Sequence, residues 1–459
     1  MNSSSSVELD SRLLQRLDKS GPRYTSYPTA DRFNERFQPQ DYERALKKRA
    51  EGLAAGLAIT PLSVYVHLPF CESVCYYCAC NKIVTRDHTR ATKYLDAIEL
   101  EVDLHVRAWR HHPQQASQLH LGGGTPTFLS DQEISRLMSI LRHAVEFSPD
   151  AEMSVEVDPR TVTPQRLANL AEMGFNRISF GVQDFDAQVQ AAVHRLQPFE
   201  SVQSLMASAR SLGYGSINTD LIYGLPKQTP ESFARTLEQV AQLRPDRIAL
   251  YGYAHMPERF KPQRRILTPD LPTPVQRISM LEQAIKCFKA EGYDYIGMDH
   301  FALPDDSLAV AKRQGRLQRN FQGYSTQPDC DIVALGVSAI GRVGNSYSQN
   351  AKTLDQYQAA LQQGRFPTQK GLWLSSDDLI RRTVVMALMC QGRLDFDAIE
   401  STCGITVSEY FKPELARLQP MVEEGMLVLE PRAVQLTPLG WHFVRSVSMV
   451  FDRYLDSPL

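Results

Sequence analysis

Ser63-Val-Tyr-Val-His-Leu68 runs through Pro69-Phe70 into Cys71-Glu-Ser-Val-Cys75-Tyr-Tyr-Cys78-Ala-Cys80. The first six residues alternate as a strand does, with Val64, Val66 and Leu68 on one face and Tyr65 and His67 on the other. Four of the chain's eight cysteines then fall inside ten residues. A tight group of thiolates at a strand end reads as a metal or iron–sulfur site. The spacing leaves three thiolates on a short loop able to wrap one corner of a cubane cluster. A [4Fe–4S] cluster held by three cysteines keeps one iron without a protein ligand. An open metal position is where chemistry happens, by the logic that separates catalytic from structural zinc sites. The competing reading is a zinc knuckle using all four cysteines. Zinc hooks are usually paired, with the second about 12 or more residues away, and no second hook follows here. Iron–sulfur is therefore favoured over zinc, and a disulfide is weaker still, because nothing else marks the chain as secreted.

A strand–helix cadence begins near Pro61. Strand candidates are 62–68, 117–122, 152–157, 176–182, 215–222 and 246–253, with helical periodicity between them, as at 94–109 and 131–145. Such alternation predicts an α/β fold with a parallel sheet, open or closed into a barrel. Segments near 293–298 and 331–337 can add strands. Three strands carry a polar face: Tyr65 and His67; Glu152, Ser154 and Glu156; Ser216, Asn218 and Asp220. A parallel sheet is normally covered on both sides, so a polar face points to a lined cavity. Barrel enzymes place their sites at the C-terminal strand ends, where the cysteine loop begins. The second strand ends in Leu121-Gly-Gly-Gly-Thr-Pro126, whose glycines let backbone approach a ligand closely. No Gly-Lys-Ser/Thr follows, so this is not a phosphate-binding P-loop.

The chain of 459 residues has room for one large domain and smaller units. Its formal net charge of −2 argues against a nucleic-acid binder. The N-terminus, Met1-Asn-Ser-Ser-Ser-Ser, lacks the apolar core of a signal peptide, and no apolar run reaches the length of a membrane span. Cys287, Cys330, Cys390 and Cys403 are scattered, as reduced thiols of a cytoplasmic protein would be. The expected division is an arm at 1–60, the catalytic domain at 61–370 and a C-terminal, mainly helical domain at 371–459. The arm holds a helical stretch at 41–57 and Gly21-Pro-Arg-Tyr-Thr-Ser-Tyr-Pro28, read as a covering arm, or else as a flap whose Arg23, Tyr24 and Tyr27 grip an anionic, planar ligand. Helical patterns at 377–391, 408–424 and 438–455 flank two β-like pieces, 426–429 and 433–436, in a winged-helix-like order. Without a basic excess this domain reads as a lid.

Tyr65-Val-His-Leu-Pro-Phe-Cys71 with Cys75 and Cys78 resembles the signature of the radical S-adenosylmethionine (SAM) enzymes. More narrowly, the chain resembles the oxygen-independent coproporphyrinogen III oxidase (dehydrogenase) family of haem biosynthesis. The resemblance is carried, in order, by GPRYTSYPT, CACNKIVTR, GGGTPT, VEVDPR, GVQDF, NTDLIYGLPKQTPESF, IGMDHFA, RNFQGY and GVSAI. It implies a partial (β/α)6 barrel with an N-terminal arm and the C-terminal domain. It also implies the chemistry: SAM chelates the open iron, and an electron from the cluster splits its sulfonium C–S bond. The 5′-deoxyadenosyl radical then takes a hydrogen from the β-carbon of a propionate, and carbon dioxide and one more electron leave. Two of four propionates become vinyl groups, giving protoporphyrinogen IX. An unactivated C–H bond offers no acidic proton, so a cofactor radical has to supply the reactivity.

The resemblance assigns Cys71, Cys75 and Cys78 to the cluster. It assigns Tyr65, Gly123, Glu156, Ala254 and Ile340 to the first SAM, and Tyr77, Gly124, Thr125, Gln183, Arg195 and Asp220 to a second. Tyr77 stands where the family often has phenylalanine. Cys80 would block SAM if it took the fourth iron, so it is read as a neighbouring or packing residue. It also marks the family, because the related haem chaperones typically have Asp-Phe after the third cysteine and lack the arm. Such a chaperone, binding haem without turnover, is the alternative reading; a zinc-stabilised winged-helix DNA-binding protein is a second. The implied partners are coproporphyrinogen III and a low-potential electron donor of the flavodoxin or ferredoxin kind. The implied state is a monomer, with no nucleic acid and no membrane. Arg23 is a candidate for a propionate, since guanidinium pairs bidentately with carboxylate.

Overall fold

The computed structural model describes residues 21–455. The first twenty residues of the expected arm therefore lie outside the described residues. The described residues separate into two compact units, residues 33–272 with 329–373, and residues 21–32 with 273–328 and 374–455.

The first unit holds the expected cadence. Its strands and helices alternate as β1 (Leu62–Leu68), α1 (Thr89–Ala108), β2 (Gln114–Gly123), α2 (Asp131–Ala144), β3 (Val145–Val157) and α3 (Pro164–Glu172). They continue as β4 (Arg177–Gln183), α4 (Phe199–Ser211), β5 (Ser216–Tyr223), α5 (Pro230–Leu243) and β6 (Arg247–Gly252). Neighbours from β1 to β6 pair in parallel and in chain order. β7 (Ile332–Leu335) pairs in parallel on the other side of β1, and β8 (Ile340–Val343), β9 (Ser346–Asn350) and β10 (Thr368–Trp373) follow it antiparallel.

Local chemistry starts the helices where the pattern predicts. Ser130 accepts from the Glu133 amide while the Glu133 carboxylate caps the Ser130 amide, closing the first turn of α2. Thr229 closes the same box with Ser232 at α5, and Thr163 accepts from the Arg166 amide at α3, each with proline in the first turn. The strand faces separate for the most part as read. Val64, Val66, Leu68, Met153, Val155 and Val157 are buried in the core, and Tyr65, Glu152, Ser154, Glu156, Asn218 and Asp220 keep partial exposure, but His67 and Ser216 of the polar faces are buried as well.

The second unit packs a core from Tyr24 and Tyr27, the Asp294–Gly297 and His300–Ala302 strands and the Ser376–Gln391 helix. Three short strands, Arg393–Asp395, Leu427–Glu430 and Ala433–Leu436, form its small sheet. Two expectations need correction. The stretch 408–424 is three short helices, Val407–Tyr410, Lys412–Arg417 and Gln419–Glu423, because Pro413 and Pro420 fit only a first turn. The last stretch is likewise two helices, Pro438–His442 and Val444–Met449, divided at Phe443.

Candidate active site at the C-terminal strand ends

The cysteine loop leaves β1 beside the end of β2, where Leu68 pairs with Gly123. Gly122, Gly123 and Gly124 each stand where a side chain would collide. A β-carbon on Gly122 would meet the Glu156 carboxyl at 3.0 Å, and one on Gly123, whose φ is +115°, would meet the His67 ring at 2.7 Å. The Gly124 amide donates to the Leu68 carbonyl at 2.8 Å and that of Thr125 to the Phe70 carbonyl at 2.8 Å, tying the two loops together.

A cavity of about 260 Å³ opens here. It brings together Cys71, Cys75, Cys78, Tyr77, Gly123, Gly124, Thr125, Glu156, Gln183, Arg195 and Asp220, all singled out from the sequence. Cys80 lines it too, as do Lys82, Asp158, Arg160 and Ser179. Three of the expected residues are not in its lining. Tyr65 stacks on His120 with ring centres 5.9 Å apart, one layer behind Glu156. Ala254 is exposed, its carbonyl accepting from Gln263, and Ile340 opens β8 opposite Gln349.

Charge is set group by group. Burial works against ionising Glu156, but hydrogen bonds from His120 Nε2 at 3.2 Å and the Gly123 amide at 3.2 Å outweigh it, holding the carboxyl below its usual range. Asp220, facing Glu156, goes the other way. Burial first and the Glu156 charge second push it up to about 6, against donors Ser179 and Asn218 at 3.1 and 2.9 Å. His67 Nε2 lies 2.9 Å from the Asn81 carbonyl and so carries its proton there. Its Nδ1 then accepts from the Tyr65 hydroxyl at 3.1 Å, and burial lowers its pKa, keeping the ring neutral.

The thiols are not equivalent. Burial pushes Cys71 up to about 11 in spite of the Thr125 hydroxyl 3.5 Å from its sulfur. Cys78 is drawn down to about 6, chiefly by a hydrogen bond from Cys80 and then, against burial, by the Lys82 ammonium. Cys75 receives N–H groups of Arg160 at 3.6 Å and Arg195 at 3.5 Å. Among the described residues no three His, Cys, Asp or Glu side chains converge as a single metal ion requires. A cubane asks for something else, one thiolate per iron on separate corners, and three cysteines along one cavity wall fit that demand. The carboxylates of Glu156 and Asp220 and the guanidinium of Arg195 in one lining fit the zwitterionic end of an amino acid such as SAM.

Sequence reasoning missed Asp158 and Arg160. Both belong to the VEVDPR string, and their importance rests on where Cys75 comes to lie. It also missed the support behind the site. Glu101, 1% exposed on α1, accepts from the Gly336 amide at 2.8 Å, Asn350 at 2.7 Å and the Tyr357 hydroxyl at 2.5 Å. Tyr94 donates to the His67 carbonyl at 2.7 Å and accepts from the Val337 amide at 2.9 Å. These bonds fasten the loop before Ile340 to the end of β1.

Residues 65–240 match the model of the Radical SAM superfamily, and residues 374–443 that of the HemN C-terminal domain. The oxygen-independent coproporphyrinogen III oxidase of Pseudomonas aeruginosa is 48% identical over 98% of this chain and 97% of its own length. The protein of that name from Escherichia coli is 47% identical over 98% and 96%. The solved structure "Coproporphyrinogen III oxidase (HemN) from Escherichia coli is a Radical SAM enzyme" superposes with a TM-score of 0.89 at 47% identity, covering 94% of this chain and 97% of that one. The expected fold, a radical SAM α/β architecture with a C-terminal helical domain, is thus borne out. With nearly half of its residues identical over 98% of its length, and the Radical SAM model spanning the cysteine loop and the glycine cradle, the chain belongs to the oxygen-independent coproporphyrinogen III oxidase family of radical SAM oxidoreductases in porphyrin biosynthesis.

Proposed function

We propose that the chain oxidatively decarboxylates two propionates of coproporphyrinogen III to vinyl groups, giving protoporphyrinogen IX without oxygen. The observation that carries this reading is the cavity in which Cys71, Cys75 and Cys78 stand beside Gly123, Glu156 and Asp220. The cluster and SAM, when bound, supply the radical reactivity that an unactivated C–H bond demands. The residues do the rest. The three thiolates hold the cluster, and Thr125 steadies Cys71. Glu156, kept ionised by His120 and Gly123, offers a carboxylate to the ammonium of SAM. Tyr65 and His120 orient Glu156 from behind, and Ala254 and Ile340 complete the first SAM site. Tyr77, Gly124, Thr125, Gln183, Arg195 and Asp220 form a second SAM site along the same cavity. Arg23 meets a propionate.

The functional division is the arm at 1–60, the catalytic barrel at 61–370 and the helical domain at 371–459. The partners are a flavodoxin- or ferredoxin-like donor and the porphyrinogen, met by a cytoplasmic monomer. No described helix is long and apolar enough to cross a membrane. The deciding experiment is anaerobic incubation of reconstituted protein with SAM, a reductant and coproporphyrinogen III. Two carbon dioxide molecules per porphyrinogen are expected; haem binding with no carbon dioxide would make the chain a chaperone instead.

A further inference from the structure

Asp158 sits just past the end of β3, 8% exposed, and gathers two guanidinium groups. Arg160 Nε lies 3.0 Å from its Oδ1 and Arg160 Nη2 2.6 Å from its Oδ2, while Arg195 Nη1 reaches Oδ2 at 3.0 Å. The same Arg160 Nη2 and Arg195 Nη1 that meet this carboxylate also point at the Cys75 sulfur, at 3.6 and 3.5 Å. Backbone carbonyls take further N–H groups: Gly181 from Arg195 at 2.6 Å and His194 from Arg160 at 3.5 Å. Two positive charges face one carboxylate, so one positive charge is left over beside the Cys75 sulfur. Cys71 has the Thr125 hydroxyl, and Cys78 has Cys80 and the Lys82 ammonium, whereas guanidinium N–H groups reach only Cys75 among the described hydrogen bonds. Fixed guanidinium donors are therefore concentrated on Cys75.

We infer that Arg160, together with Arg195 and oriented by Asp158, is a positioning and tuning residue for the cluster, raising its reduction potential through N–H···S bonds to Cys75. The inference rests on the reading of Cys75 as a cluster ligand. Hydrogen bonds to ligand sulfur and nearby positive charge favour the more negative, reduced state of an iron–sulfur cluster. Asp158 is what makes the arrangement stiff. It holds the Arg160 fork by paired bonds and Arg195 by a single bond, with the Gly181 carbonyl taking the other Arg195 Nη, so the donors are already aimed before any electron arrives. Its single charge cancels one guanidinium and leaves the other effective. The Arg160 side chain keeps 20% exposure against 7% for Arg195, so it is the one that can be changed with less disturbance of the core. Arg195 is also assigned to the second SAM, which makes Arg160 the cleaner probe.

The test is a redox titration of the reconstituted cluster, followed by electron paramagnetic resonance without substrate, in wild type, Arg160→Gln and Arg160→Lys. Arg160→Gln should lower the midpoint, so that at a fixed poise the reduced-to-oxidised ratio falls about tenfold, about 59 mV for one electron. Arg160→Lys keeps the charge but loses the fork, and should fall in between. Should Arg160→Gln fail to assemble a cluster, the lysine variant decides by itself, a lowered midpoint supporting the assignment and an unchanged one overturning it. A four-iron wild type with variants at the same midpoint overturns the inference alone. A wild type that assembles no cluster on Cys71, Cys75 and Cys78 overturns the ligand reading and the inference together.

Discussion

Gly124 lies so close to Pro69 that a β-carbon on it would stand 2.7 Å from both the Pro69 carbonyl carbon and its oxygen. Phe70 O is the next neighbour at 2.8 Å, so every obstacle is backbone. No rotamer change can relieve such a clash. Gly124→Ala must push the end of β2 away from the segment that leads into Cys71. The expected result is a folded protein destabilised by about 1–3 kcal/mol, the usual cost of overpacking. Iron bound on reconstitution should drop more steeply than stability. Urea unfolding and an iron assay on the same preparation check this, and full iron content in the alanine variant would sink it.

Cys75→Ser probes the ligands directly. Serine is smaller and a poor partner for iron, and the arginine pair then faces a neutral hydroxyl. Cluster content and activity should be lost while the far-ultraviolet circular dichroism stays near wild type, because the core of the parallel sheet lies on the opposite strand faces. An active, iron-loaded Cys75→Ser protein would refute the ligand assignment.

Much of this was legible in the sequence because the parallel sheet keeps its two faces chemically separate. Val64, Val66 and Leu68 against Tyr65 and His67 announced a strand with a site behind it, and Glu156 and Asp220 were readable for the same reason. Arg160 was not, since nothing in local spacing says that a residue after β3 will reach a sulfur 85 positions earlier in the chain. Glu101 was half-legible. It shares a helical face with Tyr94, Ile98 and His105, all buried, and an acid on an apolar stripe is itself a signal. The broken helices at 408–424 were also announced, by Pro413 and Pro420, whose missing amides override the apolar period.

Glu101 gives a pH dependence with a definite sign. Burial raises its pKa from 4.5 to about 7, the bonds from Tyr357, the Gly336 amide and Asn350 notwithstanding. The folded state thus holds a proton that the unfolded state has released between roughly pH 4.5 and 7, so stability is greatest at the acid end and declines as pH rises through 7. The whole swing is on the order of 3 kcal/mol. Tyr357→Phe removes a donor to the ionised form. It should cost about 1.5–3 kcal/mol at pH 8.5, where Glu101 is charged, and clearly less at pH 5.5. Equal losses at the two pH values, measured by urea midpoints, would show that Glu101 does not titrate in this range.

Glu156 separates binding from cluster assembly. Its carboxylate touches His120 and the Gly123 amide and none of the three thiols among the described hydrogen bonds. Glu156→Gln keeps an acceptor for Gly123 but removes the charge that would meet an ammonium, and a charge-assisted hydrogen bond is worth roughly twice a neutral one. SAM affinity should fall by about 10- to 100-fold, the equivalent of about 1.4–2.8 kcal/mol, with iron content unchanged. A second consequence follows from the same charge. Burial and the Glu156 carboxylate together hold Asp220 near 6, so neutralising Glu156 should bring Asp220 back toward the ordinary carboxylate range, a shift that carbon-13 labelling of the aspartates can follow. Wild-type affinity for SAM in Glu156→Gln, measured by equilibrium dialysis of the iron-loaded protein, would remove Glu156 from the first SAM site.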